Sequence, residues 1–83
     1  MTDLARTPKQ IGTLVRRTRK KAGLSQQALG DAAGLRQETI SLIETGNPAT
    51  RIDTLLSVLG ALDLEFRIGT RTKGGTADLA DIF

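Results

Sequence analysis

Eighty-three residues hold one small domain and leave no room for most large enzyme scaffolds. The chain has no cysteine and no histidine, which removes disulfides, thiolate metal sites and the commonest general base, so no enzyme activity, metal or cofactor is expected. Trp and Tyr are absent and Phe66 and Phe83 are the two aromatics, too few for a platform that stacks single-stranded bases, while a net charge of +3 keeps duplex binding by charge and hydrogen bonds open.

The first element begins at Thr7-Pro8-Lys9-Gln10. Thr7 can cap, Pro8 suits the first helical position, and Gln10 can complete a capping box. Ile11, Leu14, Val15, Thr18 and Ala22 recur at helical spacing as a narrow apolar stripe, and Gly23 ends the helix. The remainder of this helix is basic. Residues 1–30 carry seven Lys and Arg against Asp3, whereas residues 31–83 carry five against eight acids. A cationic half is thus joined to a mildly anionic one, fitting either a polyanion-facing surface or a solvated helix face.

Ser25 is a good N-cap for a short helix from Gln26 to Ala33, with Ala28, Leu29 and Ala32 as its inward side and Gly34 as the turn that follows. A third helix is expected from about Arg36 to Thr45, with Ile40 and Ile43 inward, stopped by Gly46-Asn47-Pro48. Thr50 and Asp53 read as the cap and third position of a fourth helix, whose Ile52, Leu55, Leu56, Val58, Leu59 and Leu62 form the widest apolar face of the chain. Beyond Asp63 the period changes to two. Leu64, Phe66 and Ile68 alternate with Glu65, Arg67 and Gly69, as in a half-buried strand. A lone strand needs a partner for its backbone groups, and pairing with a second copy as a two-stranded antiparallel ribbon supplies one; the alternative is an extension packed on its own domain. Thr70 to Thr76 has linker composition, and Leu79, Ile82 and Phe83 share one side of a terminal turn that can dock on a partner or remain loose. No apolar run suits a signal peptide or a membrane span, so a cytoplasmic protein is expected.

Two short helices joined by a glycine turn, with longer helices before and after, make a helix-turn-helix unit. Residues 8–62 resemble the Cro/C1-type (XRE) helix-turn-helix family through Leu24-Ser25-Gln26-Gln27-Ala28-Leu29, Ala33-Gly34-Leu35, and Ile40-Ser41-Leu42-Ile43-Glu44-Thr45-Gly46. The resemblance implies a mainly α, lambda-repressor-like domain of four to five helices over residues 1–63, a dimerisation strand over 64–70 built on Leu64, Phe66 and Ile68, and a tail over 71–83. It also implies that the third helix enters the major groove of double-stranded DNA.

Gln37 and Glu38 match base-reading positions, and their chemistry suits adenine and the cytosine amino group. Arg36 can reach guanine or phosphate. Ser41 lies one turn on, beside Leu42, an apolar contact for a thymine methyl. Gln26 matches a phosphate-binding position at a helix N-terminus. Thr39, Asn47 and Thr50 match backbone contacts, and Arg17 is a further phosphate candidate. The family pattern makes Arg19 and Glu44 a structural ion pair.

The compact reader, strand and acidic-apolar tail look like the HipB-type antitoxins, and that likeness implies a homodimer that represses its own operon at a palindromic operator. It also implies a HipA-type toxin kinase as partner, with Leu79, Ile82 and Phe83 as candidate toxin contacts. A stand-alone phage-type or restriction-modification regulator, or an interaction module that keeps the fold without reading DNA, are the other readings.

Overall fold

The first two helices start where a side-chain oxygen supplies a partner for an unpaired N–H group. In the computed structural model, which describes residues 3–71, Thr7 Oγ1 accepts the Gln10 N–H at 3.1 Å and opens α1 (Pro8–Lys21). The reciprocal half of the box closes one residue early, because Gln10 Oε1 accepts from the Arg6 N–H. Val15 is buried and Ile11, Leu14 and Thr18 are half-buried, but Ala22, expected in the stripe, is exposed because the helix has already ended. Gly12 and Arg19 take the inward places instead.

Ser25 Oγ accepts the Ala28 N–H at 3.0 Å and opens α2 (Gln26–Ala33). The inward side is rotated from the expected one, with Leu29 and Gly30 buried, Ala28 half-buried and Ala32 exposed. Gly30 sits there because the turn folds back on it; a Cβ would lie 2.7 Å from the Leu35 carbonyl oxygen. Gly34, at φ 72°, makes the left-handed turn that an L side chain resists. The α3 helix (Gln37–Thr45) then starts one residue later than expected, with Arg36 as an N-cap that makes no side-chain bond.

The α4 helix (Ile52–Ala61) corrects another expectation. Its N-cap is Arg51, not Thr50. Thr50 Oγ1 instead donates to the Asn47 carbonyl at 3.0 Å, and Asn47 Oδ1 accepts the Ala49 N–H at 3.1 Å, so Asn47 and Thr50 close the turn between α3 and α4 on itself.

Helix α3 packs against both α1 and α2, and α2 also packs on α4. Val15, Leu29, Ile40, Ile43, Leu55, Val58 and Leu62 form the core where they meet, each contributing about 1.5–3 kcal/mol of burial. Only part of the α4 apolar face is used. Ile52 and Leu56 stay 65% and 46% exposed. After Leu62, Asp63 turns the chain at φ 59° and the Leu64 N–H donates to Leu59 O at 2.7 Å. From there to Arg71 the chain has no regular secondary structure. Leu64, Phe66 and Ile68 are 37%, 50% and 91% exposed, so the expected strand has no ladder among the described residues and its apolar side is progressively uncovered. The candidate toxin contacts Leu79, Ile82 and Phe83 lie outside the described residues. No helix among the described residues is long and apolar enough to cross a membrane.

Candidate nucleic-acid interface

Helix α3 divides its residues by face. Ile40, Ile43 and Glu44 are buried, whereas Gln37 and Glu38 are exposed in its first turn together with the preceding Arg36. Leu42 is 52% exposed, and Ser41 and Thr39 are half-buried on either side of the inward stripe. The structure therefore brings Arg36, Gln37, Glu38, Ser41 and Leu42 onto one projecting end and outer face. Thr45 joins them. It is exposed at seven residues from Glu38, and its hydroxyl donates back to the Ser41 and Leu42 carbonyls at 3.1 and 3.0 Å. The sequence reading passed over it, although the i, i+3, i+7 spacing Glu38, Ser41, Thr45 was there to find.

What fixes the angle of this helix is a buried network at its other end. Arg19 of α1 reaches Glu44 of α3 with two parallel bonds, Nε to Oε2 at 2.6 Å and Nη2 to Oε1 at 3.0 Å, the fork geometry that suits guanidinium and carboxylate. Its remaining Nη1 donates to the Leu24 carbonyl at 2.8 Å. Side-chain exposures of 9% and 3% put both charges inside, and hydrogen bonding to Glu44 raises the Arg19 pKa above its ordinary value although burial opposes it. Gln26 at the start of α2 donates its amide to Glu44 Oε1 at 3.2 Å. Among the described residues no buried side-chain polar atom lacks a partner.

Several side chains with expected DNA contacts also make contacts within the chain. The Gln26 side chain, read as a phosphate ligand, is engaged with Glu44 and ties the first turn of α2 to the end of α3. Arg17 pairs with Asp3 at 3.0 Å on an exposed surface. Asn47 and Thr50 hold their own turn, and their outward atoms sit beside exposed Pro48 and Ala49.

A family model described as helix-turn-helix matches residues 15–68. A relative in Sinorhizobium fredii, the uncharacterized HTH-type transcriptional regulator y4mF, is 39% identical over 82% of this chain and 93% of that protein. The chain belongs to the XRE-type helix-turn-helix family. Among solved structures, a HipB–O4 20mer complex matches this helix-turn-helix protein with a TM-score of 0.76 at 25% identity, covering 82% of this chain and 96% of that one. A HipA–HipB–O2–O3 complex matches with a TM-score of 0.74 at 28% identity over 82% and 96%.

One structural residue of the helix-turn-helix unit escaped the sequence reading. Gly12 lies where a Cβ would stand 2.3 Å from the Ile43 carbonyl oxygen and 2.7 Å from that of Glu44. Helix α1 can approach the backbone of α3 this closely only without a side chain there. A glycine on the edge of an apolar stripe, three residues before Val15, was the available signal.

Proposed function

We propose that this helix-turn-helix protein is a homodimeric, sequence-specific repressor of transcription that inserts α3 into the major groove of a palindromic operator. The observation that carries the reading is the division of α3: a first turn whose Arg36, Gln37 and Glu38 point into solvent, held rigidly by Ile40, Ile43 and the Arg19–Glu44 clamp. Bidentate amides and carboxylates at such a position suit base edges, and the surplus of Lys and Arg on α1 attracts phosphates without choosing among sequences. Binding, not catalysis, is the activity. Membership in the family and the likeness to HipB in an O4 20mer complex support the same reading.

The finer role is the antitoxin of a toxin-antitoxin pair that represses its own operon and binds a HipA-type kinase in the cytoplasm. Support for it is the fit to HipB within a HipA–HipB complex. Leu79, Ile82 and Phe83 are the candidate contacts for that kinase.

Selection of binding sites from random duplexes, followed by titration of the winner, tests the repressor reading. The wild type is expected to select an inverted repeat and to lose affinity steeply with rising salt. Gln37→Ala is expected to lose about 1–3 kcal/mol against that site with folding unchanged. Binding that is absent, or insensitive to salt and to Gln37→Ala, would instead mark an interaction module. Co-purification from the native cell separates antitoxin from stand-alone regulator, since only the former brings a kinase-like protein with it.

A further inference from the structure

The segment after α4 alternates apolar and charged side chains. Arg67 Nε lies 2.7 Å from Glu65 Oε2, so these two side chains share one side of the segment, and both are largely exposed. Leu64, Phe66 and Ile68 occupy the alternate positions and are the exposed apolar groups. Leu64 and Phe66, together with Glu65 and Arg67, border a groove whose walls are Ile11 and Leu14 of α1 and Leu59 of α4, and Ile52 and Leu56 lie exposed on α4. Both α4 and the segment thus carry exposed apolar side chains.

We infer that a second copy of this chain covers this surface in one register, an antiparallel ribbon with Phe66 on the two-fold axis. The inference rests on the homodimer reading above and specifies it. Opposite residues in an antiparallel pair point to the same face, so any register that sets an odd-numbered residue against an even-numbered one would place apolar chains opposite Glu65 and Arg67. Among the registers that keep the faces together, centring on residue 65 sets Glu65 against its own copy, and centring on 67 sets Arg67 against its own. Like charges directly opposite are destabilising. Centring on Phe66 pairs Glu65 of each copy with Arg67 of the other, twice, and sets Leu64 against Ile68. The ion pair that each copy makes within itself is exchanged for one between the copies, two in all. The apolar side of both strands then faces the α4 flanks of the two copies, covering Phe66 and Ile68.

Because the natural chain has no cysteine, the register can be read with single thiols on the solvent side of the ribbon. Residues directly opposite in a ladder have Cα atoms about 4.5–5.5 Å apart, within reach of a disulfide. The full-length variants Glu65→Cys and Arg67→Cys are oxidised separately, and then after unfolding and refolding as a mixture. Expected is a covalent dimer in the mixture alone, containing one chain of each kind by mass, while each variant alone stays uncrosslinked. Disulfides formed by either variant with itself, or none in the mixture while the wild type sediments as a dimer, would overturn the register and leave the dimer standing. A wild type that sediments as a monomer at all concentrations used would overturn the dimer reading itself.

Discussion

The seam between α1 and α3 and the outer flank of α4 dispose of their side chains in opposite ways. At the seam two full charges, Arg19 and Glu44, are buried, and Gly12 lets two backbones touch. On the flank and the segment that follows it, Ile52, Leu56, Phe66 and Ile68 stay in water. Hydrophobicity alone would have sorted these groups the other way round. Availability of partners decides it: Arg19 finds two carboxylate oxygens and the Leu24 carbonyl within its own chain, whereas Ile52 and Leu56 of the flank stay exposed among the described residues. The contrast between the ion pairs makes the same point. Arg67–Glu65 has side chains 68% and 72% exposed, a pair worth at most about 1 kcal/mol. The seam is complete in one chain; on the dimer proposed above, the flank is half of an interface.

The largest expected effect breaks the seam. Glu44→Ala strands the Arg19 guanidinium inside the protein and takes the partner from the Gln26 amide, so urea unfolding should show a loss of about 3–5 kcal/mol. A double replacement, Arg19→Met with Glu44→Leu, should recover most of that loss, because apolar side chains of similar volume suit the site. A loss no greater than that of a surface pair would mean that the seam is open to water. Since the Arg19 pKa is raised on folding, its contribution is fully present below the ordinary arginine value and fades only as pH rises through the still higher folded one. Stability from this arginine is therefore flat across neutral and mildly alkaline pH.

A smaller effect compares one glycine from each region. Gly12→Ala places a methyl group against the Ile43 carbonyl, and backbone cannot yield as a flexible side chain can. A loss of about 1–3 kcal/mol is expected, with weaker operator binding because α3 must shift. Gly60, near the end of α4, has nothing within 4 Å of where its Cβ would be. Gly60→Ala should be neutral or gain up to about 0.5–1 kcal/mol from lower entropy of the unfolded chain. Equal effects from the two substitutions would contradict the difference drawn between seam and flank.

Much of the helical architecture was legible because its signals are local. Thr7 and Ser25 cap where they were expected to, Gly23, Gly34 and Gly46 adopt positive φ at three helix ends, and Ile40 and Ile43 are buried at the spacing that marks them. What was misread depends on distant partners. The rotation of α2 toward Gly30 is set by the returning Leu35 backbone, which no window over α2 contains. Thr50 looks like a cap in sequence but is drawn back to Asn47, a choice between two acceptable hydrogen bonds that propensity does not rank. The contact of the Gln26 amide with Glu44, eighteen residues away, likewise lies beyond any local window. The wide apolar face of α4 was visible, yet nothing in its pattern says how much of it the same chain can cover. In the interface, the exposed first turn of α3 followed from helical periodicity once its start was known; the clamp holding it came through family resemblance, since no spacing rule links Arg19 to Glu44.

The smallest effect concerns the point where the two behaviours meet. Asp63 ends the folded body and begins the exposed segment, and it does so at φ 59°, the one non-glycine residue with positive φ among those described. A side chain in the left-handed region costs about 1–2 kcal/mol, and glycine returns part of that gain as extra freedom in the unfolded chain. Asp63→Gly should therefore raise stability by about 0.5–1 kcal/mol, or a few degrees in Tm, when variant and wild type are compared at the same protein concentration. That condition matters because association would itself stabilise the folded chain. Run at several concentrations, the comparison separates two contributions. A gain that persists at high dilution belongs to the turn, as the φ value requires. A substitution that instead lowers Tm only at high concentration would show that Asp63 serves to aim the segment at the second copy, and that the strain at this residue is retained for the interface it directs.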